Sequence, residues 1–153
     1  YLAVYRATDY CGDGYLGCAR ALNALFFVAA APFVYAVARR VSSRAAASVI
    51  ALATFAGPIS SYTAYYMPEA PYFFAFWAFS WQVLRTRGDA AVRAWALAGV
   101  LFGLAALVKP HALLCLPAVL AYVLCVCRGS EDRWPWRPLA CAATLGACAI
   151  VTS

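Results

Sequence analysis

Long apolar stretches without a charged residue alternate along the chain with short polar connections. The stretches cover residues 21–38, 45–62, 70–84, 94–108 and 112–127, and a further one runs from residue 138 to the end. Apolar side chains fill every face of a helix drawn through them, and a segment inside a bilayer must satisfy its own backbone amides. A span needs about 20 residues, or fewer where the bilayer thins. The pattern predicts an all-α, polytopic transmembrane helical bundle with about six spans.

The connections alternate in charge, which indicates the same spans independently. Nine of the twelve Lys and Arg residues fall in the connections 39–44, 85–93 and 128–137. Short loops rich in Lys and Arg stay in the cytoplasm, so we expect these three loops to be cytoplasmic. Residues 1–20, 65–69 and 109–111 then face the outer side of the membrane.

The composition indicates membrane lipids, rather than nucleic acid, as the partner of the chain. Apolar residues make up 66% of the chain and charged residues only 12%, whereas soluble domains carry roughly 25% charged residues. A net charge of +6 would suggest nucleic acid in a soluble protein. Because the basic residues lie between apolar stretches, membrane lipids explain them, and we expect no nucleic acid partner. The alanine- and arginine-rich usage favours a GC-rich bacterial source, and therefore the bacterial inner membrane.

We expect the chain to be a piece of a longer polypeptide, truncated at both ends. It begins at Tyr1 rather than Met, and its last apolar stretch reaches Ser153 without a polar tail. No charged and then apolar leader opens the sequence, so no signal peptide is predicted. The expected organisation is a single transmembrane domain over 1–153, with an outer loop at 1–20 and the helical bundle at 21–153.

Two charged residues on the outer side stand beside prolines at the ends of spans. Glu69 lies between Pro68 and Pro71, where it could be a functional carboxylate at the membrane surface or a solvated residue that caps the next helix. Lys109 precedes Pro110. It could bind the phosphate of a lipid or of a lipid-linked substrate, or it could snorkel to the interface.

Four further residues on the outer side bear chemically useful groups. His111 could transfer protons or bind the same phosphate, but a lone histidine is more often an ordinary interfacial residue, and we predict no metal site there. Arg20 opposes the charge rule for its side, so we expect it to pair with a carboxylate or to bind an anion. Asp9 and Asp13 could serve as a base or hold a divalent cation, or they could be solvated loop residues.

The seven cysteines do not form a recognisable metal or redox motif. Cys11 and Cys18 both lie on the predicted outer side and could pair in an oxidising compartment, although their spacing alone does not decide this. The other five lie in or beside the spans, where cysteine behaves as a small apolar residue. The sequence contains no CxxC, HExxH, GxSxG or glycine-rich phosphate loop.

Short motifs in the order of the chain resemble the GT-C superfamily of membrane glycosyltransferases. They are ARALN at 19–23 in a span that ends in ARR at 38–40, then PE at 68–69, then GLAALVKP at 103–110. The likeness covers about residues 15–122 and is to the group that contains protein mannosyltransferases and the aminoarabinose transferases of lipid A.

The resemblance implies an enzyme that takes a sugar from a polyprenyl-phosphate carrier. The sugar passes, with inversion, to a lipid, glycan or protein acceptor on the periplasmic or luminal face. No cofactor is firmly implied, and a divalent cation is an open alternative. Arg20 and Lys109 match basic positions near the carrier phosphate, with His111 as a weaker candidate, and Glu69 matches a second acidic position near the active cavity.

The catalytic base of such families is an acidic residue in the first outer loop. That position falls upstream of Tyr1, or else it is Asp9 or Asp13. The competing hypotheses are a transporter or flippase for a lipid-linked or small substrate, and a non-catalytic assembly subunit. Transporters tend to place ionisable groups near the middle of broken helices, whereas these spans are almost empty of charge, which favours the enzyme.

Overall fold

A computed structural model describes residues 6–57, 60–61, 65, 67–86 and 92–128, with two isolated positions at 143 and 147. The helices are α1 (Tyr15–Ala29), α2 (Ala31–Ala38), α3 (Arg44–Ala56), α4 (Glu69–Arg85), α5 (Val92–Val108) and α6 (Leu116–Arg128). Two 3-10 helices, Ala7–Gly14 and Pro110–Cys115, precede α1 and α6. No strand occurs among the described residues, and the prediction of an all-α fold is confirmed.

The observed helices follow the predicted apolar stretches, with differences at their ends. The first helix starts at Tyr15 instead of residue 21, because a charged residue such as Arg20 does not interrupt helical geometry. The second stretch was expected to reach residue 62, but α3 ends at Ala56. Gly57 precedes Pro58 and adopts an extended conformation (φ −75°, ψ 176°), as expected for a residue before proline.

One helical segment, Tyr10–Ala38, is long and apolar enough to cross a membrane, with 29 residues. The other apolar helical segments, Arg44–Ala56, Arg93–Val108 and Pro110–Val126, have 10–17 residues. At 1.5 Å per residue the 13 residues of α3 extend about 20 Å, less than the hydrocarbon core of about 30 Å. The described helices thus do not establish six spans, and that number stays a prediction. The sixth predicted span, from residue 138, lies outside the described residues apart from the two isolated positions.

The contacts divide the chain into two compact units, residues 1–78 and 79–153. Each unit has a cluster of buried apolar side chains. In the first unit these are Phe27, Ala30, Val34, Ala70 and Phe73. In the second unit they are Phe79, Val83, Trp95, Ala98, Phe102 and Val123. The single domain expected over 1–153 stays a prediction.

In the first unit, α2 and α3 pack together through a short turn that polar side chains close. The Ser42 hydroxyl donates to the Ala38 carbonyl at 2.7 Å, and the Arg39 guanidinium donates to the Ser42 carbonyl at 2.7 Å. Ser43 then caps α3 by accepting the Ala46 N–H at 3.3 Å, as Ser does at helix N-termini. The turn reverses the chain, so α3 runs back toward Phe27, whose ring lies 4.7 Å from that of Phe55.

In the second unit, the end of α4 runs antiparallel to α5. The rings of Phe79 and Phe102 lie 5.0 Å apart, and the amide of the buried Gln82 donates to the Ala94 carbonyl at 3.1 Å. Contacts that pair 79 with 102 and 82 with 94 define this antiparallel register. The predicted basic connection at 85–93 joins these two helices, although residues 87–91 lie outside the described part of the chain.

Large apolar side chains also cover much of the outside of the helices. Leu25, Val28, Leu52 and Leu114 are 64–81% exposed. Extended exposed apolar surface of this kind marks contact with a membrane or with another protein. It agrees with the apolar composition that pointed to a bilayer.

Candidate active site

Aromatic contacts fix the register of α1 against the first half of α4. The ring centroids of Phe27 and Phe73 lie 5.5 Å apart, and Phe33 contacts Phe74 at 5.7 Å. Asn23 contacts the carbonyls of Tyr65 and Met67 just before α4, and Phe27, one turn later in α1, contacts a ring inside α4, so the two helices run in the same direction. Asn23 precedes Phe27 by four residues, and Glu69 precedes Phe73 by four. Along its own helix axis, each therefore lies about 6 Å on the N-terminal side of the Phe27–Phe73 contact.

Arg20 and Glu69 therefore come from the same end of the first unit. Arg20 lies three residues before Asn23 on α1, about 4.5 Å further along the axis, and its side chain is exposed. The sequence predicts that Arg20 and Glu69 lie on the same side of the membrane, and the helix register puts both at the same end of this unit. A cation can stabilise negative charge and a carboxylate can accept a proton, so this end of the unit carries two groups that are useful in catalysis.

Glu69 is the first residue of α4 and is half-buried, with its Oε2 atom buried. Pro68 precedes it, and the Tyr72 N–H donates to the Pro68 carbonyl at 3.1 Å to close the first turn. Pro71 lies within this first turn, where a missing N–H leaves no helical hydrogen bond unmade. A carboxylate at this position also faces the positive end of the helix dipole, so the predicted capping role is compatible with a chemical one.

Asn23, which sequence reasoning did not select as a site residue, holds the chain just before Glu69. Its side chain is fully buried. Its Nδ2 atom donates to the Tyr65 carbonyl at 3.0 Å and makes a longer contact of 3.5 Å with the Met67 carbonyl. The available signal was the spacing of Ala19, Asn23 and Phe27, which puts a single amide in the buried stripe of α1.

Cys11 and Cys18 form a disulfide, with Cα atoms 6.6 Å apart. The bond ties the first 3-10 helix to the first turn of α1, and Gly12 within the ring has a φ of +53°, a conformation that glycine adopts readily. Asp13 is exposed inside this ring. The side chain of Asp9 lies outside the described part of the structure.

Lys109 lies in the second unit, where α5 ends. Its backbone is extended (φ −139°, ψ 105°) between α5 and the second 3-10 helix. The Lys109 N–H donates to the Ala105 carbonyl at 2.9 Å, and its carbonyl accepts the Ala112 N–H at 3.0 Å. The side chain is half-buried and stands near the carbonyl end of α5, where a positive charge is favourable. His111 is exposed in the following 3-10 turn.

No three His, Cys, Asp or Glu side chains come together as a metal-binding group within the described ranges. Cys115 and Cys125 are free and exposed. The described side chains therefore form no preformed site for the divalent cation, which the sequence analysis left as an open alternative.

The family comparison identifies the class of protein. The chain matches the model of the dolichyl-phosphate-mannose-protein mannosyltransferase family over residues 16–152. It belongs to this family, and is a membrane glycosyltransferase of the GT-C type. The resemblance seen in the sequence is confirmed, and the transporter alternative is not favoured. Comparison with curated proteins and with solved structures gave no match.

Proposed function

We propose that this protein transfers a sugar from a polyprenyl-phosphate carrier to an acceptor on the outer face of the membrane. The observation that supports this most is membership of the mannosyltransferase family over residues 16–152. The proposal is also supported by the position of Arg20 and Glu69, a cation and a carboxylate, at the same end of the first unit. We further propose the bacterial inner membrane as the location, with basic loops 39–44, 85–93 and 128–137 in the cytoplasm.

The proposed reaction is a direct displacement at the anomeric carbon. An acceptor hydroxyl or amine attacks this carbon and forms the new glycosidic bond, while the bond from the anomeric carbon to the phosphate oxygen breaks. The electron pair of the broken bond leaves with the polyprenyl phosphate, and the acceptor proton passes to a carboxylate. Inversion at the anomeric carbon follows from attack on the face opposite the leaving phosphate.

Glu69 is our candidate for a carboxylate that takes this proton or orients the acceptor. Asp13, inside the ring that the Cys11–Cys18 disulfide closes, and Asp9, which precedes this ring, are alternative bases. The acceptor class is a lipid, a glycan or a protein. The half-buried position of Glu69 beside two prolines supports its choice over Asp13, which is exposed, because a general base must be held in place against the proton that it accepts.

Lys109 and Arg20 are our candidates for binding the carrier phosphate. A half-buried ammonium at the extended break after α5 is a fixed point charge that can stabilise a departing phosphate. Arg20 offers a planar guanidinium that can bind phosphate oxygens in pairs. His111, exposed in the next turn, is a weaker third candidate.

Native mass spectrometry of polyprenyl-phosphate binding tests the proposal for Lys109. We expect the wild-type protein in detergent to retain polyprenyl phosphate and Lys109→Ala to lose at least about tenfold in affinity, since one charge-assisted contact to phosphate contributes about 1.5–3 kcal/mol. Arg93→Ala, which removes an exposed cation from the opposite end of α5, is the matched control and should bind like wild type. Wild-type affinity in Lys109→Ala would contradict the proposed contact, and an absence of binding by wild type would contradict the carrier.

A further inference from the structure

We propose that Asn23 is a positioning residue that holds the chain at Tyr65 and Met67 against α1 and thereby sets the place of Glu69. The inference rests on the proposed role of Glu69 in sugar transfer. It adds a residue that makes no contact with the sugar and acts through the backbone before α4. The observation behind it is the pair of contacts from the buried Asn23 amide to the Tyr65 and Met67 carbonyls.

The contact has the properties of a specific link between distant parts of the chain. Asn23 precedes its two partners by 42 and 44 residues, and its side chain has no exposed surface. A buried side-chain amide is costly without hydrogen-bond partners, and backbone carbonyls in a loop need donors that no helix supplies. The Tyr65 carbonyl accepts from Met67 N–H as well, at 2.9 Å, so the Asn23 contact is part of the local structure of this segment.

The short connection from Met67 to Glu69 can transmit this placement. Only Pro68 lies between them, and its ring fixes its own φ at about −65°. Few backbone torsions can therefore rotate between Met67 and Glu69. On the other side of Glu69, Ala70 and Phe73 are buried, and the Phe73 ring packs on Phe27. Helix α1 therefore holds Glu69 from both sides, through Asn23 before it and through Phe27 after it.

The competing interpretation is that Asn23 only stabilises the first unit. A double-mutant cycle on the full chain separates the two. Asn23→Leu keeps the approximate size of the side chain and removes both donors. If Asn23 acts through Glu69, this change should lower the transfer rate per folded protein about 10- to 100-fold. In a Glu69→Gln background the same change should have little further effect, because the group that Asn23 positions is already inactive.

Two further variants keep the test decisive. Ala47→Gly changes a fully buried residue of α3 in the same unit, outside the cluster of Phe27 and Phe73, and is expected to lower stability while leaving transfer per folded protein unchanged. Asn23→Gln retains the amide donors and should recover part of the rate. If Asn23→Leu does not fold, Asn23→Ala removes the same donors with a smaller side chain and takes its place in the cycle.

Hydrogen exchange reads the proposed contact without relying on activity. The backbone amides of Tyr65, Met67 and Glu69 should exchange faster in Asn23→Leu than in wild type, while those of 44–56 should not change. Unchanged exchange at Tyr65, Met67 and Glu69, or a rate loss that multiplies fully with that of Glu69→Gln, would overturn the positioning role. If wild type transfers no sugar, or Glu69→Gln keeps full activity, the role of Glu69 fails instead, and faster exchange would then show only that Asn23 holds the segment.

Discussion

Glu69 is a residue at a helix start for which we propose both a structural and a chemical role. As the first residue of α4, its charge interacts favourably with the helix dipole, an effect of about 0.3–1 kcal/mol. General base catalysis by a positioned carboxylate contributes far more to a rate, about 100- to 10,000-fold. These magnitudes differ enough to separate the two roles by measuring stability and activity on one variant.

Glu69→Gln removes the charge and keeps the shape of the side chain. We expect sugar transfer to fall by about 100-fold or more, while the free energy of unfolding falls by about 1 kcal/mol or less. Transfer kinetics and denaturant unfolding of the purified protein provide the two numbers. Equal losses in the folded fraction and in transfer would assign Glu69 to helix capping alone.

At the residue scale, sequence reasoning could select charges but not their partners. Glu69 and Lys109 stood out because charge is rare in this chain and because each has a proline neighbour. Asn23 did not stand out, because its side-chain amide contacts carbonyls 42 and 44 residues further along the chain, and the sequence alone does not bring these groups together. Arg20 was expected at the end of the outer loop 1–20 but lies inside α1, and its position relative to Glu69 required the packing of Phe27 on Phe73.

At the element scale, prolines account for most of the differences between predicted and observed helices. The break between α1 and α2 lies at Ala30, two residues before Pro32, whose ring removes a backbone donor. Helix α3 ends before Pro58. Helix α5 ends before Lys109, and a 3-10 helix begins at Pro110. Apolar patterning predicted that helices exist in these stretches, but it could not show how each proline divides them.

The disulfide between Cys11 and Cys18 is the covalent link of the first 3-10 helix to α1. Replacing both cysteines by serine should lower the free energy of unfolding by about 2 kcal/mol, because closing even a short ring restricts the unfolded chain. Cys115→Ser, which removes a free and exposed thiol, is the control and should leave stability unchanged. Denaturant titration of both variants measures the difference, and equal stability of the two would argue against the bond in the folded protein.

At the scale of the whole molecule, two independent features support the orientation that we propose in the membrane. Nine basic residues in three connections predict a cytoplasmic side. A disulfide between Cys11 and Cys18 is favoured in an oxidising compartment, which agrees with the proposed outer location of the N-terminal segment. Because residues 1–20 were predicted outside from charge alone, the disulfide supports the proposed topology by separate chemistry.

Labelling of single cysteines tests this orientation. In a background with the five cysteines after Cys18 replaced by serine, a membrane-impermeant maleimide should modify Tyr65→Cys in intact cells. It should modify Arg40→Cys only after the membrane is permeabilised, because residue 40 lies in a basic loop. Both positions are exposed, so accessibility to solvent does not bias the comparison. The reverse pattern would invert the topology and move Glu69 to the cytoplasmic side.

The most direct test of the central claim is the fate of a polyprenyl-phosphate-linked sugar given to the full chain in lipid bilayers. Mass spectrometry should detect free polyprenyl phosphate together with an acceptor that has gained the sugar with inverted anomeric configuration, and Glu69→Gln should abolish both products. A donor that stays intact, or one that reaches the opposite leaflet with its sugar still attached, would contradict a glycosyltransferase and support transport instead.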